Sequence, residues 1–204
     1  MEHPRAVIFD VGEVLFHWDL KALFAKLIPE RAALDAFVRD VVSPEWHFQS
    51  DQGRPLAEMV AERCAEYPQH RDAILAYRDR FNETITSPVA GMLELIERLS
   101  GAGVPLFAIT NFGAEFWDGF APTQPIFARF RDIFVSGHEK VAKPDPAIFT
   151  RALDRFGLSA GQALFIDDRA DNVAAAARIG IASHAFSDAP TCIAWLRSQG
   201  VAAA

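Results

Sequence analysis

An apolar run near the start of the chain ends directly on a carboxylate. Residues 6–9, Ala-Val-Ile-Phe, carry no polar side chain, Asp10 follows them, and Gly12 comes two residues later. A strand that is apolar on both faces is typical of the middle of a parallel sheet, where ligands bind beyond the carboxyl ends of the strands. Asp10 is therefore a candidate reactive residue, although an aspartate that only shapes a turn gives the same local pattern.

From residue 87 onward, strand-like apolar runs alternate with runs of helical period. The predicted strands cover residues 104–109, 133–135, 163–166 and 181–186. The predicted helices cover residues 89–100, 145–156, 172–179 and 191–199, the first of them with Ser87 as its N-cap. This alternation indicates an α/β fold with a Rossmann-like parallel sheet and helices on both faces.

The stretch between the first strand and residue 87 has a different pattern. Apolar residues recur at three- and four-residue spacing over 18–28, 31–42, 55–66 and 71–84, and prolines and glycines interrupt them. We predict that residues 18–86 form a helical bundle of about four helices, with no strand among them. The bundle would be inserted into an α/β core domain formed by residues 1–17 and 87–204.

Composition narrows the class of partner. The 20 Lys and Arg against 27 Asp and Glu give a formal net charge of −7, which argues against a broad surface for nucleic acid or an anionic membrane. No apolar run approaches the roughly 18 residues of a membrane span, and we expect a cytoplasmic protein without a leader. Cys64 and Cys192 stand alone, as buried thiols do in a reducing compartment. A small-molecule substrate is expected, and the oligomeric state stays open.

Polar side chains follow the other core strands as well. Thr110 and Asn111 come after the second strand of the core, and Asp167 and Asp168 come after a later one. Crowded carboxylates at one sheet edge repel each other unless a cation is present. Mg²⁺ takes carboxylate, carbonyl, water and substrate phosphate oxygens. Asp10, a main-chain carbonyl just after it, and Asp168 could supply the protein ligands, although an Asp pair can also simply cap the next helix.

A cation and two hydrogen-bond donors complete the predicted site. Lys143 lies before a helix start, and the proline after it favours an extended main chain at the lysine. The Thr110 hydroxyl and the Asn111 amide are suitable donors to phosphate oxygens. A carboxylate beside a metal and a cation is a competent nucleophile. Asp10, Thr110, Asn111 and Lys143 are thus the candidate catalytic residues, while each pattern alone also fits an ordinary turn or loop.

Four short motifs, in this order, resemble those of the haloacid dehalogenase-like (HAD) hydrolase superfamily over nearly the whole chain. They are Phe9-Asp10-Val11-Gly12, Ile109-Thr110-Asn111, Lys143-Pro144 and Phe165-Ile166-Asp167-Asp168. The resemblance implies a first-type (C1) helical cap over the core and a phosphatase similar to the bacterial sugar-phosphate phosphatases of the superfamily. Asp10 would attack phosphorus and form an aspartyl-phosphate, while Mg²⁺, Lys143 and the Thr110-Asn111 pair would stabilise the equatorial oxygens.

The resemblance also assigns the binding residues. The metal would be held by the carboxylates of Asp10 and Asp168 and by the main-chain carbonyl of Gly12, with Asp167 behind them. Residues 44–53 resemble the specificity loop of the cap. Within that loop, Trp46 and His47 are the candidates for substrate binding, together with Thr110, Asn111 and Lys143.

The sequence departs from the family pattern at Gly12. Most phosphatases of the superfamily have a second aspartate there, whose side chain is a general acid and base. Glycine keeps the main-chain carbonyl but lacks that acid, and loss of a positioned acid costs about 10²–10⁴-fold in rate. Either the leaving group needs little help, or Glu13 or His47 substitutes, or the reaction is not phosphate hydrolysis.

Two alternatives therefore stay open. A 2-haloacid dehalogenase of the same superfamily would use Asp10 to displace halide from carbon without a metal, and water would then hydrolyse the ester. A non-catalytic module would bind Mg²⁺ and a phosphorylated ligand. We favour the phosphatase, because Asp167 and Asp168 suit a divalent cation and a dianionic substrate needs that cation more than a haloacid does.

Overall fold

The computed structural model describes residues 6–204, so the first five residues of the predicted core lie outside the described residues. The strands are β1 (Ala6–Phe9), β2 (Phe16–Trp18), β3 (Ile85–Pro88), β4 (Leu106–Thr110), β5 (Asp132–Val135), β6 (Ala163–Asp167) and β7 (Ala182–Ala185). Five of them form a parallel sheet in the order β5-β4-β1-β6-β7. The predicted Rossmann-like α/β sheet is confirmed, with β1 at its centre.

Helices cover both faces of this sheet. The described α-helices are α1 (Leu20–Phe24), α2 (Arg31–Asp40), α3 (Pro44–Asp51), α4 (Leu56–Glu66), α5 (Arg71–Asp79), α6 (Met92–Gly101), α7 (Ala114–Phe120), α8 (Ser136–Glu139), α9 (Pro146–Phe156), α10 (Ala170–Arg178) and α11 (Ala189–Ser198). Val7 and Phe9 of β1 pack in one hydrophobic cluster with α6 and α11. Ala6 and Ile8 pack in another with α9 and α10, since successive strand residues point to opposite faces.

Helices α1 to α5 share a third hydrophobic cluster, separate from those on the sheet, which includes Phe24, Phe37, Met59 and Tyr77. We call residues 18–86 the cap and the remainder the core, as the sequence predicted. The exact division into domains stays a prediction. Its support is that the cap helices bury their apolar faces mainly against one another, as an independent unit does.

The predicted loop over 44–53 is wrong, because most of it forms helix α3. Ser43 is the N-cap, its hydroxyl accepts a hydrogen bond from the Trp46 N–H, and Pro44 occupies the first turn. Serine followed by proline is a favourable helix start. The sequence pattern predicts no helix between residues 42 and 55, because the prolines and glycines there interrupt the apolar period.

Two short strands at the ends of the cap were also missed. β2 and β3 pair antiparallel, with Phe16 opposite Pro88 and His17 opposite Ser87. Both connections between cap and core therefore run through one small sheet. Ser87 lies in that sheet and is not an N-cap, and helix α6 instead begins after Gly91, whose φ of 79° is left-handed.

The cap lies directly against the core. The Leu56 N–H donates to the Glu115 carboxylate at 3.0 Å, and the Asn82 side chain donates to the Gly119 carbonyl at 3.1 Å. Cys64 and Cys192 are both buried free thiols, as predicted. Within residues 6–204, every helix is too short or too polar to cross a bilayer.

Candidate active site

Three carboxylates from two neighbouring strands meet at the carboxyl edge of the sheet. β1 pairs with β6 in a register that places Phe9 beside Ile166, so the residues that follow emerge together. One carboxylate oxygen each from Asp10, Asp167 and Asp168 lies within 4.8 Å of the others. Such a group of hard oxygen donors has the chemistry that Mg²⁺ requires.

Lys143 lies between two of these carboxylates. Its side chain is completely buried, and its Nζ is 2.7 Å from both Asp10 Oδ2 and Asp167 Oδ2. The same ammonium donates to the Ile109 carbonyl at 3.0 Å. Asp10 is fixed from its other side, because the Val11 N–H donates to Asp10 Oδ1 at 2.7 Å. The carboxylate is therefore held in one orientation beside a positive charge.

Asn111 holds the main chain of Lys143. Its Nδ2 donates to the Lys143 carbonyl at 2.9 Å, and its Oδ1 accepts the Lys143 N–H at 2.8 Å. Both ends of the amide are thus engaged, and donation from this amide to phosphate would require it to leave these bonds. In this arrangement Asn111 positions the lysine.

The three carboxyl groups near Lys143 differ in how readily they ionise. Burial opposes ionisation of Asp167, but Lys143 and Asn172 outweigh it, so the pKa of Asp167 lies below its usual value. Burial raises the pKa of Asp10 to about 8, Lys143 lowers it in part, and the charge of Asp167 raises it again. Burial and Asp167 also raise the pKa of Asp168. The raised pKa values mean that Asp10 and Asp168 lose their protons readily only where a divalent cation offsets the resulting charge.

Thr110 supplies an unused hydroxyl close to this edge. Its side chain is wholly buried at the end of β4, next to β1 in the sheet. Its Oγ1 has no hydrogen-bond partner within the described part of the chain. Buried hydroxyls in folded proteins normally have a partner, so this one is available to a ligand oxygen that reaches it.

A cavity of about 240 Å³ lies between the cap and this edge of the core. Asp10, Gly12, Asn111, Lys143 and Asp168 line it on the core side. The cap and the turn before it contribute Glu13, Phe16, Trp18, His47, Asp51, Phe81 and Ile85. Trp46 lies outside this lining, because its ring packs within the cap against Tyr77 at 5.0 Å and under Arg63 at 5.1 Å.

The two substitutes considered for the missing acid are both occupied. Glu13 accepts the Trp18 N–H at 2.7 Å and pairs with His17 at 3.1 Å, so it stabilises the turn before β2. His47 is sandwiched between Trp18 and Phe81, and its Nδ1 is 2.6 Å from the Tyr77 hydroxyl. Burial lowers the pKa of His47 to about 4, which leaves it uncharged and a poor proton donor at neutral pH.

Gly12 occupies open space, and we predict that Gly12→Ala folds and stays active. A Cβ at this position would meet no atom within 4 Å, and the φ of Gly12 is not left-handed. Replacement of glycine at such a site stabilises proteins by about 0.4–1 kcal/mol through the unfolded chain. Urea unfolding should show this gain, and the main-chain carbonyl that the metal would use is retained.

Gly53→Ala is the matched control for this variant. Gly53 has a φ of +84°, and a Cβ there would lie 2.8 Å from the Gly137 carbonyl. We expect Gly53→Ala to lower the free energy of unfolding. A loss of stability in Gly12→Ala as large as in Gly53→Ala would contradict the open geometry of the first position.

The comparison with known families settles the relationship of the chain. The family described as haloacid dehalogenase-like hydrolase matches residues 4–180. The chain belongs to the HAD-like hydrolases. The predicted superfamily is thereby confirmed, and the matched residues include strands β1 to β6 and helices α1 to α10.

Relatives and solved structures of HAD-like proteins extend this finding. The chain is 26% identical to the sesquiterpene phosphatase astK of Aspergillus oryzae over 93% of each protein. It is 26% identical to the glyceraldehyde 3-phosphate phosphatase of Methanopyrus kandleri over 82% of this chain and 76% of that one. Two further relatives are longer proteins, of which this chain spans 17% and 34%.

A HAD-family enzyme of Bacteroides thetaiotaomicron, solved with magnesium and inorganic phosphate, superimposes with a TM-score of 0.72 at 19% identity. The superposition covers 91% of this chain and 95% of that enzyme. At this identity the likeness establishes a common HAD-like fold.

Proposed function

We propose that this HAD-like hydrolase is a Mg²⁺-dependent phosphatase that forms an aspartyl-phosphate on Asp10. The observation that carries the proposal is the position of Asp10. It is buried beside Lys143, and its carboxylate lies close enough to those of Asp167 and Asp168 for the three to surround one metal ion. The names of the relatives, which include phosphatases from a fungus and an archaeon, support a phosphate ester as substrate. The paired Asp167 and Asp168 favour this reaction over metal-free dehalogenation.

Each residue has a stated task in this reaction. Asp10 and Asp168, with the Gly12 main-chain carbonyl, would hold Mg²⁺, which when bound offsets the charge of the carboxylates and of the substrate phosphate. Lys143 keeps a positive charge beside Asp10, because the two carboxylates outweigh the effect of burial and raise its pKa. Asp10 attacks phosphorus in line, the ester oxygen leaves, and water then hydrolyses the aspartyl-phosphate. Thr110 donates to an equatorial oxygen.

The proposed substrate is a small phosphorylated metabolite of the sugar-phosphate type. A cavity of about 240 Å³ limits the size of its organic part. The buried Trp18 Nε1 has no hydrogen-bond partner among the described residues, and Trp18 lines the cavity. A hydroxyl group of a substrate would accept a hydrogen bond from it. We also propose that the protein acts on free small molecules in the cytoplasm, without nucleic acid or membrane, which its charge of −7 supports.

Phosphate release from a panel of sugar, glycerol, aryl and prenyl phosphates, with Mg²⁺ and with EDTA, tests the function. We expect turnover that needs Mg²⁺ and is fastest with a sugar phosphate. Chloride release from 2-chloropropionate in EDTA would instead establish the dehalogenase. Binding of Mg²⁺ and phosphate without turnover of any ester would establish the non-catalytic module.

A further inference from the structure

This inference rests on the proposed phosphatase function and concerns the proton that the reaction needs. When the phosphorus–oxygen bond breaks, an alkyl leaving group departs as an alkoxide unless an acid protonates it. The family acid is absent, because Gly12 stands in its place. Glu13 and His47 are occupied in other contacts. We infer that Asp51, on cap helix α3, donates the proton to the leaving-group oxygen and is a catalytic residue.

Asp51 lies in the wall that faces the nucleophile. It lines the cavity that also contains Asp10 and Lys143, and it lines a second, adjoining cavity with Lys143 and Asn111. Only 6% of the residue is exposed. Its Oδ1 is buried without a hydrogen-bond partner in residues 6–204, and its Oδ2 is 3.8 Å from His47 Nε2. A leaving-group oxygen in the cavity would give Oδ1 its partner.

The surroundings of Asp51 keep a proton on it near neutral pH. Burial raises the pKa of Asp51 to about 7, while the Gly113 N–H and the more distant Lys143 lower it only in part. The neighbouring groups on the cap, His47 and Tyr77, are both uncharged at neutral pH, because burial lowers the pKa of His47 to about 4 and holds the pKa of Tyr77 well above its usual value. A general acid is most effective when its pKa lies near the working pH.

This end of helix α3 packs closely against the core at two glycines. A Cβ on Gly113 would lie 2.9 Å from Ser50 Oγ, and a Cβ on Gly53 would lie 2.8 Å from the Gly137 carbonyl. Glycine at both positions therefore allows an approach that any side chain would prevent. Asp51 lies between Ser50 and Gly53 in the chain, so its carboxyl group is fixed at the boundary of cap and core.

Over the two steps of the reaction, Asp51 gives up one proton and regains one. In the first step Asp10 forms a bond to phosphorus, the ester oxygen departs, and that oxygen takes the proton of the Asp51 carboxyl group. In the second step the Asp51 carboxylate accepts a proton from water as the water oxygen attacks the aspartyl-phosphate. Phosphate leaves, and Asp10 and Asp51 return to their starting forms.

The test compares two leaving groups in wild type and Asp51→Asn. A nitrophenyl phosphate releases a stable anion and needs no acid, whereas a sugar 6-phosphate does. We expect Asp51→Asn to lower kcat/KM for the sugar phosphate by about 10²–10⁴-fold and to leave that for the aryl ester near the wild-type value. The asparagine oxygen can still accept the Gly113 N–H, so the fold should be kept. Asp40→Asn, an exposed aspartate on α2 paired with Arg39, is the matched control and should change neither value.

The wild type offers a second readout that does not depend on a variant. The ratio of kcat/KM for the sugar phosphate to that for the aryl phosphate should fall as the pH rises through about 7, because Asp51 loses its proton there. A change in the ionisation of Asp10 with pH alters kcat/KM for both substrates by the same factor and therefore cancels in the ratio. An equal loss on both esters, no loss in Asp51→Asn, or a ratio independent of pH would overturn the role of Asp51. Wild-type protein that hydrolyses neither ester would instead overturn the proposed function.

Discussion

Asp10→Asn is expected to abolish phosphate release while the protein stays folded. Asparagine fills the same space but cannot form the aspartyl-phosphate, and removal of a nucleophile costs more than about 10⁴-fold in turnover. The fold should tolerate the change, because burial raises the pKa of Asp10 to about 8 where no metal offsets its charge, so an uncharged amide suits the same surroundings. Lys143 keeps its second partner, Asp167, at 2.7 Å.

Two measurements check this result. Steady-state phosphate release gives the loss of rate, and the mass of acid-quenched protein shows whether a phosphoryl group is attached during turnover. Wild type should carry the group and Asp10→Asn should not. Asp35→Asn, a partly exposed cap aspartate paired with Lys21 at 2.6 Å, is the control and should keep full activity. Turnover of Asp10→Asn within about 10²-fold of wild type would mean that another group attacks phosphorus.

The carboxylates at the edge of the sheet could be predicted from the sequence, because each one directly follows an apolar run that marks a strand. Four apolar residues before Asp10 indicate a central strand, and two carboxylates directly after another apolar run indicate a second one. Parallel strands bring their carboxyl ends to one edge whatever their order. The strand order itself, with β1 between β4 and β6, has no such local signal, and neither does the engagement of Asn111 with the lysine.

The cap could be predicted only as helical. Its helices have a clear apolar period, but the position of α3 over the core depends on close contacts at Gly53 and Gly113, which are far apart in sequence. Asp51 was missed for this reason. A single aspartate near the end of a polar helix carries no signal in the sequence, and only the packing of α3 buries its carboxyl group and leaves one oxygen, Oδ1, without a partner.

Lys143→Met is expected to lower both activity and stability. The variant leaves Asp10 and Asp167 buried without their shared cation, and removal of one partner of a buried ion pair costs about 3–5 kcal/mol. Lys143 lowers the pKa of Asp167 below its value of about 3.8 in the unfolded chain. The ionised Asp167 therefore stabilises the fold at pH values above about 3.8, and this stabilisation is lost as the pH falls through the lower pKa of the folded state. The deficit of Lys143→Met should therefore be large at pH 7 and shrink below about pH 4.

Urea unfolding at pH 7 and pH 4, with phosphate release at pH 7, measures both effects. Lys140→Met, an exposed lysine three residues earlier, is the matched control and should change little. The double variant Lys143→Met/Asp167→Asn separates the roles, because it also removes the buried charge of Asp167 that Lys143 offsets. Stability should recover in part, while activity should not. Equal stability of Lys143→Met and wild type at pH 7 would show that the fold does not depend on the charge between the two carboxylates, and the position of Asp10 would then need another explanation.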